Sequence, residues 1–120
     1  MKASEIIRED SLQRNIDPEK TLANIAYMTK NGNATLLHSG NTVLLLVRFS
    51  PKGAELHLFT QDSPLALMSA LKQFVETIRK TSLEAVYGQA DNDGILKMLR
   101  RAGVDVQKSN MPQYNWMAKV

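Results

Sequence analysis

Residues 54–87, AELHLFTQDSPLALMSALKQFVETIRKTSLEAVY, change their hydrophobic period twice, and this change decides the fold. Residues 54–60 have the period-2 pattern of a strand. A capping side chain then precedes Pro64, and apolar side chains recur at helical spacing as far as Lys80. The segment 83–87 is short and apolar, which predicts a second strand. A strand, a crossover helix and a strand of this length predict a right-handed parallel βαβ unit.

The segments before this unit predict two helices and two more strands. Within residues 3–30, Asp17-Pro18-Glu19 marks the start of a second helix. Asp is a favoured N-cap, Pro suits the first helical position, and a negative charge suits the helix dipole. Residues 34–38 and 42–49 are strands with only short turns around them. Because loops this short join antiparallel neighbours, these two strands and 54–60 form a meander.

The segments after the unit predict a helix over residues 92–102, closed by Gly103, and strands over 104–108 and 114–120. The predicted fold class is therefore α/β. It is a mixed sheet with two N-terminal helices, an antiparallel three-strand meander, a βαβ crossover and C-terminal strands.

A chain of 120 residues fits one domain, with a helical part over residues 1–32 and a sheet with crossover helices over 33–120. Tyr114 and Trp116 stand two positions apart, so we expect them to share one face of the sheet. The apolar stripes of the crossover helices predict six buried side chains: Met68, Leu71, Val75, Ile78, Leu96 and Leu99.

Composition excludes several classes of protein. The chain has no cysteine, so disulfides and thiolate metal sites are absent. The charged N-terminus and the shortness of the longest apolar run, Val43–Val47, predict a cytoplasmic protein without a secretory signal or a membrane span. A net charge of +3 is mild, which does not favour nucleic-acid binding. The basic trio of Lys97, Arg100 and Arg101 keeps that partner open.

The two histidines suggest a weaker alternative. His38 and His57 fall on neighbouring predicted strands, where Glu55, Asp62 or Glu84 would complete a metal site. No recognised ligand spacing supports such a site, so we predict no metal. The sequence also lacks the G-x-S-x-G turn that a serine hydrolase of the α/β type needs.

Residues 92–104, NDGILKMLRRAGV, resemble part of the GNAT superfamily of acyl-CoA-dependent N-acetyltransferases. In that family an Asn commonly opens the fourth helix and a Gly closes it, and Asn92 and Gly103 keep the same eleven-residue spacing. Residues 83–87 would be the family's fifth strand. The resemblance extends from Ala34 to the C-terminus and implies a GNAT-like fold, with acetyl-CoA as the cofactor of active members.

Two departures from the family pattern bear on activity. The family binds the cofactor pyrophosphate with a glycine-rich loop before its third helix, because bare N–H groups must approach the phosphates closely. Residues 60–68, TQDSPLALM, contain no glycine. Pro64 lacks an N–H donor, and Asp62 would place a carboxylate near the phosphates. Leu99 occupies the position of the family's proton-donating Tyr and cannot transfer a proton.

These departures predict a GNAT-like domain without catalytic residues, which acts as an interaction or structural protein with a protein partner. Compact domains of this kind resemble bacteriophage accessory or virion proteins, which would place the chain in the host cytoplasm or the virion. The alternative is a divergent acyl-CoA-dependent N-acetyltransferase. We expect no cofactor in the first case and acetyl-CoA in the second. The candidate contacts for acetyl-CoA are Phe59, Thr60, Gln61, Ser63 and Asn92.

Overall fold

The computed structural model describes residues 1–91 and 93–120. Within them the chain forms four helices and six strands: α1 (Ala3–Gln13), α2 (Pro18–Lys30), β1 (Ala34–Ser39), β2 (Thr42–Arg48), β3 (Gly53–Thr60), α3 (Pro64–Arg79), β4 (Ala85–Gly88), α4 (Gly94–Arg101), β5 (Asp105–Gln107) and β6 (Trp116–Lys119). The predicted order of elements is confirmed, whereas α4 and the last two strands are shorter than predicted. None of the described helices is long and apolar enough to cross a membrane.

The strands form one mixed sheet in the order β1-β2-β3-β4-β6-β5 among the described residues. β1, β2 and β3 are the predicted antiparallel meander. β4 runs parallel to β3, as the crossover predicted, but the two strands pair only over Gly53–Glu55 and Ala85–Tyr87. β6 then lies antiparallel between β4 and β5. The fold is therefore the predicted α/β class.

Each face of the sheet has its own apolar core because side chains alternate along a strand. Val43, Leu45 and Phe59 pack under α1 and α2 with Ile6 and Ile7. The alternate positions, which include Leu44 and Leu46, pack against α3 and α4 on the other face. The sheet is thus the middle layer between two pairs of helices.

The helix starts follow the local signals in the sequence. The Asp17 side chain accepts hydrogen bonds from the N–H groups of Glu19 and Lys20 at the start of α2. Ser63 caps α3 by accepting from the Ala66 N–H, and Pro64 takes the first helical position. Both helices therefore begin where the cap and the proline predicted.

The burial prediction is largely confirmed. Leu71, Val75, Ile78 and Leu99 are buried, whereas Met68 and Leu96 are only half-buried. These two side chains lie at the margins of the apolar stripes, where solvent reaches the helix.

The prediction that Tyr114 and Trp116 share a face is wrong. Trp116 lies in β6 and is buried in the core beneath α3. Tyr114 precedes the strand, in a turn whose backbone does not alternate, and its ring packs against Tyr87 on the other face.

Candidate functional site

β3 and β4 separate beyond Glu55, and an open cavity of about 640 Å³ lies where they diverge. We call it the cleft. Its walls come from α1 on one side, from Leu67, Ile95 and Met98 of α3 and α4 on the other, and from the segment after β4. Asn115 fixes that segment through hydrogen bonds to both the N–H and the C=O of Ala90, at 2.9 and 2.7 Å. The cleft is therefore a consequence of the short parallel pairing.

The α1 wall presents a carboxylate to the backbone of β3. Asp10 is 8% exposed, and its Oδ2 accepts a hydrogen bond of 2.9 Å from the Thr60 N–H. Its Oδ1 lies 2.5 Å from a guanidinium nitrogen of Arg14. The Cζ atom of Arg14 lies 5.5 Å from the centroid of the Phe59 ring. The main-chain donor at the end of β3 is consequently already occupied by the chain's own side chain.

The same edge of β3 has unpaired backbone deeper in the cleft. The groups of Thr60 point into the cleft, so by alternation those of Leu58 do too. Among the described residues, no strand pairs with this edge beyond Glu55. The cleft thus offers an extended ligand one residue of free strand edge.

Ser11 adds a buried hydroxyl to the α1 wall. The residue is 0% exposed and lines the cleft, and its Oγ has no hydrogen-bond partner among the described residues.

A hydrogen-bonded chain of three side chains lies on the face of β3 that α1 covers. The Tyr114 hydroxyl donates to Glu55 Oε2 at 2.7 Å, and Glu55 Oε1 is paired with His57 Nε2. Burial, followed by the hydrogen bond and the charge of Glu55, raises the pKa of Tyr114 to about 12. Tyr114 therefore keeps its proton at neutral pH and acts as a donor.

Aromatic rings support this chain from the side. The ring centroids of Phe49 and Tyr87 each lie within 6.2 Å of that of Tyr114, and those two rings are 5.5 Å apart. Such packing fixes the position of the Tyr114 hydroxyl.

The charge of the cleft is negative. Asp10, Glu55 and Asp91 line it with carboxylates, and Arg14 is the one guanidinium among its described lining residues. The three carboxylates exceed the one guanidinium by two. A cleft of this sign attracts cations and repels phosphates.

The predicted acetyl-CoA contacts are only partly brought together. Phe59 and Thr60 line the cleft. The Gln61 amide instead binds Gln13 and the Thr60 carbonyl. Ser63 is exposed and caps α3 without lining the cleft. Asn92 lies outside the described residues.

The two departures from the family pattern have different outcomes. We expected the Asp62 carboxylate to be free at the start of α3, near the phosphates of a cofactor, but it is not. Its Oδ2 accepts from the Asn41 N–H at 2.9 Å and from Thr42 Oγ1 at 2.7 Å, so it fixes the turn between β1 and β2. Leu99 is buried in the core, while the side chains that α4 presents to the cleft are the apolar ones of Ile95 and Met98. The cleft therefore receives no proton donor from α4 among the described residues.

Of the remaining candidates, Glu55 and His57 line the cleft, whereas His38 and the basic trio do not. His38 Nε2 is bonded to the Gly40 carbonyl, and no group of three or more metal-ligating side chains occurs among residues 1–91 and 93–120. The basic trio of Lys97, Arg100 and Arg101 is exposed on α4, and none of the ion pairs in the described part of the chain includes it.

Sequence reasoning missed the α1 wall and Tyr114. A signal for Asp10 exists, because it lies three and four residues after Ile7 and Ile6, on the buried stripe of α1. No local pattern marks Tyr114, because its partner Glu55 is 59 residues away in the sequence.

Comparison with known proteins places this fold. Neither a protein-family model nor a curated protein sequence matches the chain. Two solved structures resemble it. The ribosomal-protein-alanine N-acetyltransferase of Brucella melitensis is similar over 87% of this chain and 76% of that chain, with a TM-score of 0.57 and 12% identity. A chimera of the spermidine N-acetyltransferase SpeG of Vibrio cholerae and hSSAT is similar over 99% and 90%, with a TM-score of 0.52 and 8% identity. The chain therefore has a GNAT-like fold.

Proposed function

We propose that this chain is a non-catalytic GNAT-like binding domain whose cleft takes a cationic segment of a protein partner in place of acetyl-CoA. The observation that carries the proposal is the negative lining of the cleft, where Asp10, Glu55 and Asp91 outnumber Arg14.

The cleft is a poor match for a phosphate-bearing cofactor. Like charges 4 Å apart repel by about 1 kcal/mol in water and about 4 kcal/mol near a protein surface. Asp10 already accepts the Thr60 N–H, and Pro64 has no N–H at the start of α3. A pyrophosphate group would therefore meet carboxylates and few free donors.

The same lining suits an ammonium group on an extended segment. The carboxylate of Glu55 is about a third exposed, so a cation can reach it without full desolvation. The free backbone of Leu58 can pair with an extended chain. Lysine side chains and chain N-termini carry the required charge.

Calorimetry of the whole chain with two matched peptides tests this proposal. The probe is a blocked glycine-lysine-glycine peptide, and its control is the same peptide with the lysine acetylated, which removes only the charge. We expect saturable binding of the first and binding at least about tenfold weaker for the second, a difference of about 1.4 kcal/mol. Glu55→Gln should weaken the binding of the first peptide and leave the affinity for the second peptide unchanged. Equal affinity for both peptides would contradict the proposal.

Acetyl-CoA is the third ligand of the same experiment. We expect no binding of acetyl-CoA with a dissociation constant on the order of tens of micromolar or below. Low-micromolar binding of acetyl-CoA would overturn the proposal and restore the cofactor site.

A divergent N-acyltransferase is the second candidate, and the chain of Tyr114, Glu55 and His57 favours it. Tyr114 holds a proton at neutral pH, and His57 with Glu55 can accept one from an amine. Thiol release from acetyl-CoA measures this activity, and the chain contributes no thiols of its own because it has no cysteine. Turnover that is lost in Tyr114→Phe would support this candidate against the first.

A further inference from the structure

β1 is the outer strand of the sheet, and one of its two backbone edges is open. The Asn33 carbonyl accepts from the Arg48 N–H, so the odd-numbered residues of this segment face β2. By alternation, the N–H and C=O groups of Ala34, Leu36 and His38 face outward. Among the described residues, no strand lies beside that edge.

The open edge lacks the usual protection against pairing. Natural edge strands carry Lys, Pro, inward charges or bulges that block a further strand. β1 has the sequence ATLLHS, without a charged residue or a proline, and it pairs with β2 without a break from Ala34 to Ser39. The strand is therefore competent to accept a neighbour.

Both faces of the position beside β1 are partly enclosed. α2 lies over β1 on one face. A helix is about 10 Å wide, so one centred over an edge strand projects about 5 Å beyond it. On the other face, a cavity of about 170 Å³ is lined by Thr35 and Leu37 of β1 and by Ile78 and Leu83.

This enclosure decides between two kinds of occupant. With the two edge strands parallel, a second copy would be turned over and its α2 would lie on the face where α3 contacts β1. With them antiparallel, the copy would place its own β1 about 4.8 Å away and its α2 on the same face at a similar distance from this α2. Packed helices need about 8–10 Å between their axes, so the two α2 helices would overlap. A single strand without a helix over it meets no such obstacle.

We propose that the open edge of β1 receives one extended segment of a partner protein, which becomes a seventh strand of the sheet. The segment is apolar on both faces, because one face lies beneath α2 and the other faces the cavity beside Leu37. Backbone hydrogen bonds to Ala34, Leu36 and His38 hold it, and the site is separate from the cleft.

The probe is a fluorescein-labelled peptide with the sequence of β2, TVLLLVR. This sequence is apolar on both faces, and within the protein β2 already pairs with the inner edge of β1. We expect saturable binding by fluorescence anisotropy. A version of the peptide with N-methyl groups at alternate residues cannot donate along one edge and should bind at least about fivefold more weakly. The blocked Gly-Lys-Gly peptide, added without a label as a competitor, should leave this binding unchanged.

Two matched variants test the edge itself. His38→Pro removes the outward N–H, and a proline is tolerated on the outer side of an edge strand. His38→Ala also loses the contact with Gly40 but keeps the N–H. Binding should weaken about fivefold or more in His38→Pro and stay within about twofold in His38→Ala.

Amide hydrogen exchange supplies a readout that does not depend on these variants. In the free protein the amides of Leu36 and His38 should exchange much faster than those of Thr35 and Leu37, and the peptide should slow the first pair only. Absence of peptide binding, equal binding to both variants, or slow exchange of Leu36 and His38 in the free protein would overturn the proposal.

Discussion

Replacement of Leu71 by alanine tests the larger core. Leu71 is 3% exposed on α3 and lies beside an internal cavity of about 30 Å³. Leu→Ala in a core costs about 2.7–5 kcal/mol, and the cost rises by about 24 cal/mol for each Å³ of cavity that remains. We expect Leu71→Ala to lower the free energy of unfolding by about 3–5 kcal/mol.

Urea unfolding followed by tryptophan fluorescence measures this change. The single tryptophan, Trp116, is buried against the same cavity and reports on it directly. The matched control is Leu65→Ala, the same chemical change on the same helix at a side chain that is 84% exposed. The control should change stability by less than about 0.5 kcal/mol. A loss below about 1 kcal/mol in Leu71→Ala, or an equal loss in both variants, would refute the assignment of the buried face of α3.

Three further predictions concern single contacts. In Gly88→Ala the added Cβ would lie 2.6 Å from the Trp116 indole nitrogen, so we expect a loss of about 1–3 kcal/mol and an altered near-UV circular dichroism spectrum. The pKa of Tyr114 is raised from 10.0 to about 12, so the stability that it contributes is complete below pH 10 and is lost as the pH rises to about 12. Between those pH values the unfolding free energy of the wild type should fall more steeply than that of Tyr114→Phe, and parallel curves would contradict this. Asp17→Ala removes the cap of α2 and should cost about 1 kcal/mol in urea unfolding, whereas Asp17→Asn should cost much less.

The parts of the fold that depend on local chemistry could be predicted from the sequence. Ser63 and Pro64 begin α3 as the sequence indicates, because a cap and a proline act within one helical turn. The parallel pairing of β3 and β4 also follows, since a crossover of this length leaves few other arrangements.

The candidate site was less accessible to sequence reasoning because tertiary contacts build it. Asp10 meets Thr60 across 50 residues of sequence, and Tyr114 meets Glu55 across 59. The hydrogen bonds of Asp62 are also tertiary contacts. Its position before α3 suggested a carboxylate beside the phosphates of a cofactor, but its hydrogen bonds go to the turn between β1 and β2.

The short parallel pairing of β3 and β4, which we call the seam, has a consequence for how the chain folds. The meander of β1, β2 and β3 is built from hairpins between strands that are neighbours in sequence, and such contacts form early because their loops are short. The seam joins strands separated by the whole of α3, and it consists of three residue pairs. We therefore expect the meander to order first and the seam to close late, so that the cleft is the last part of the sheet to take shape.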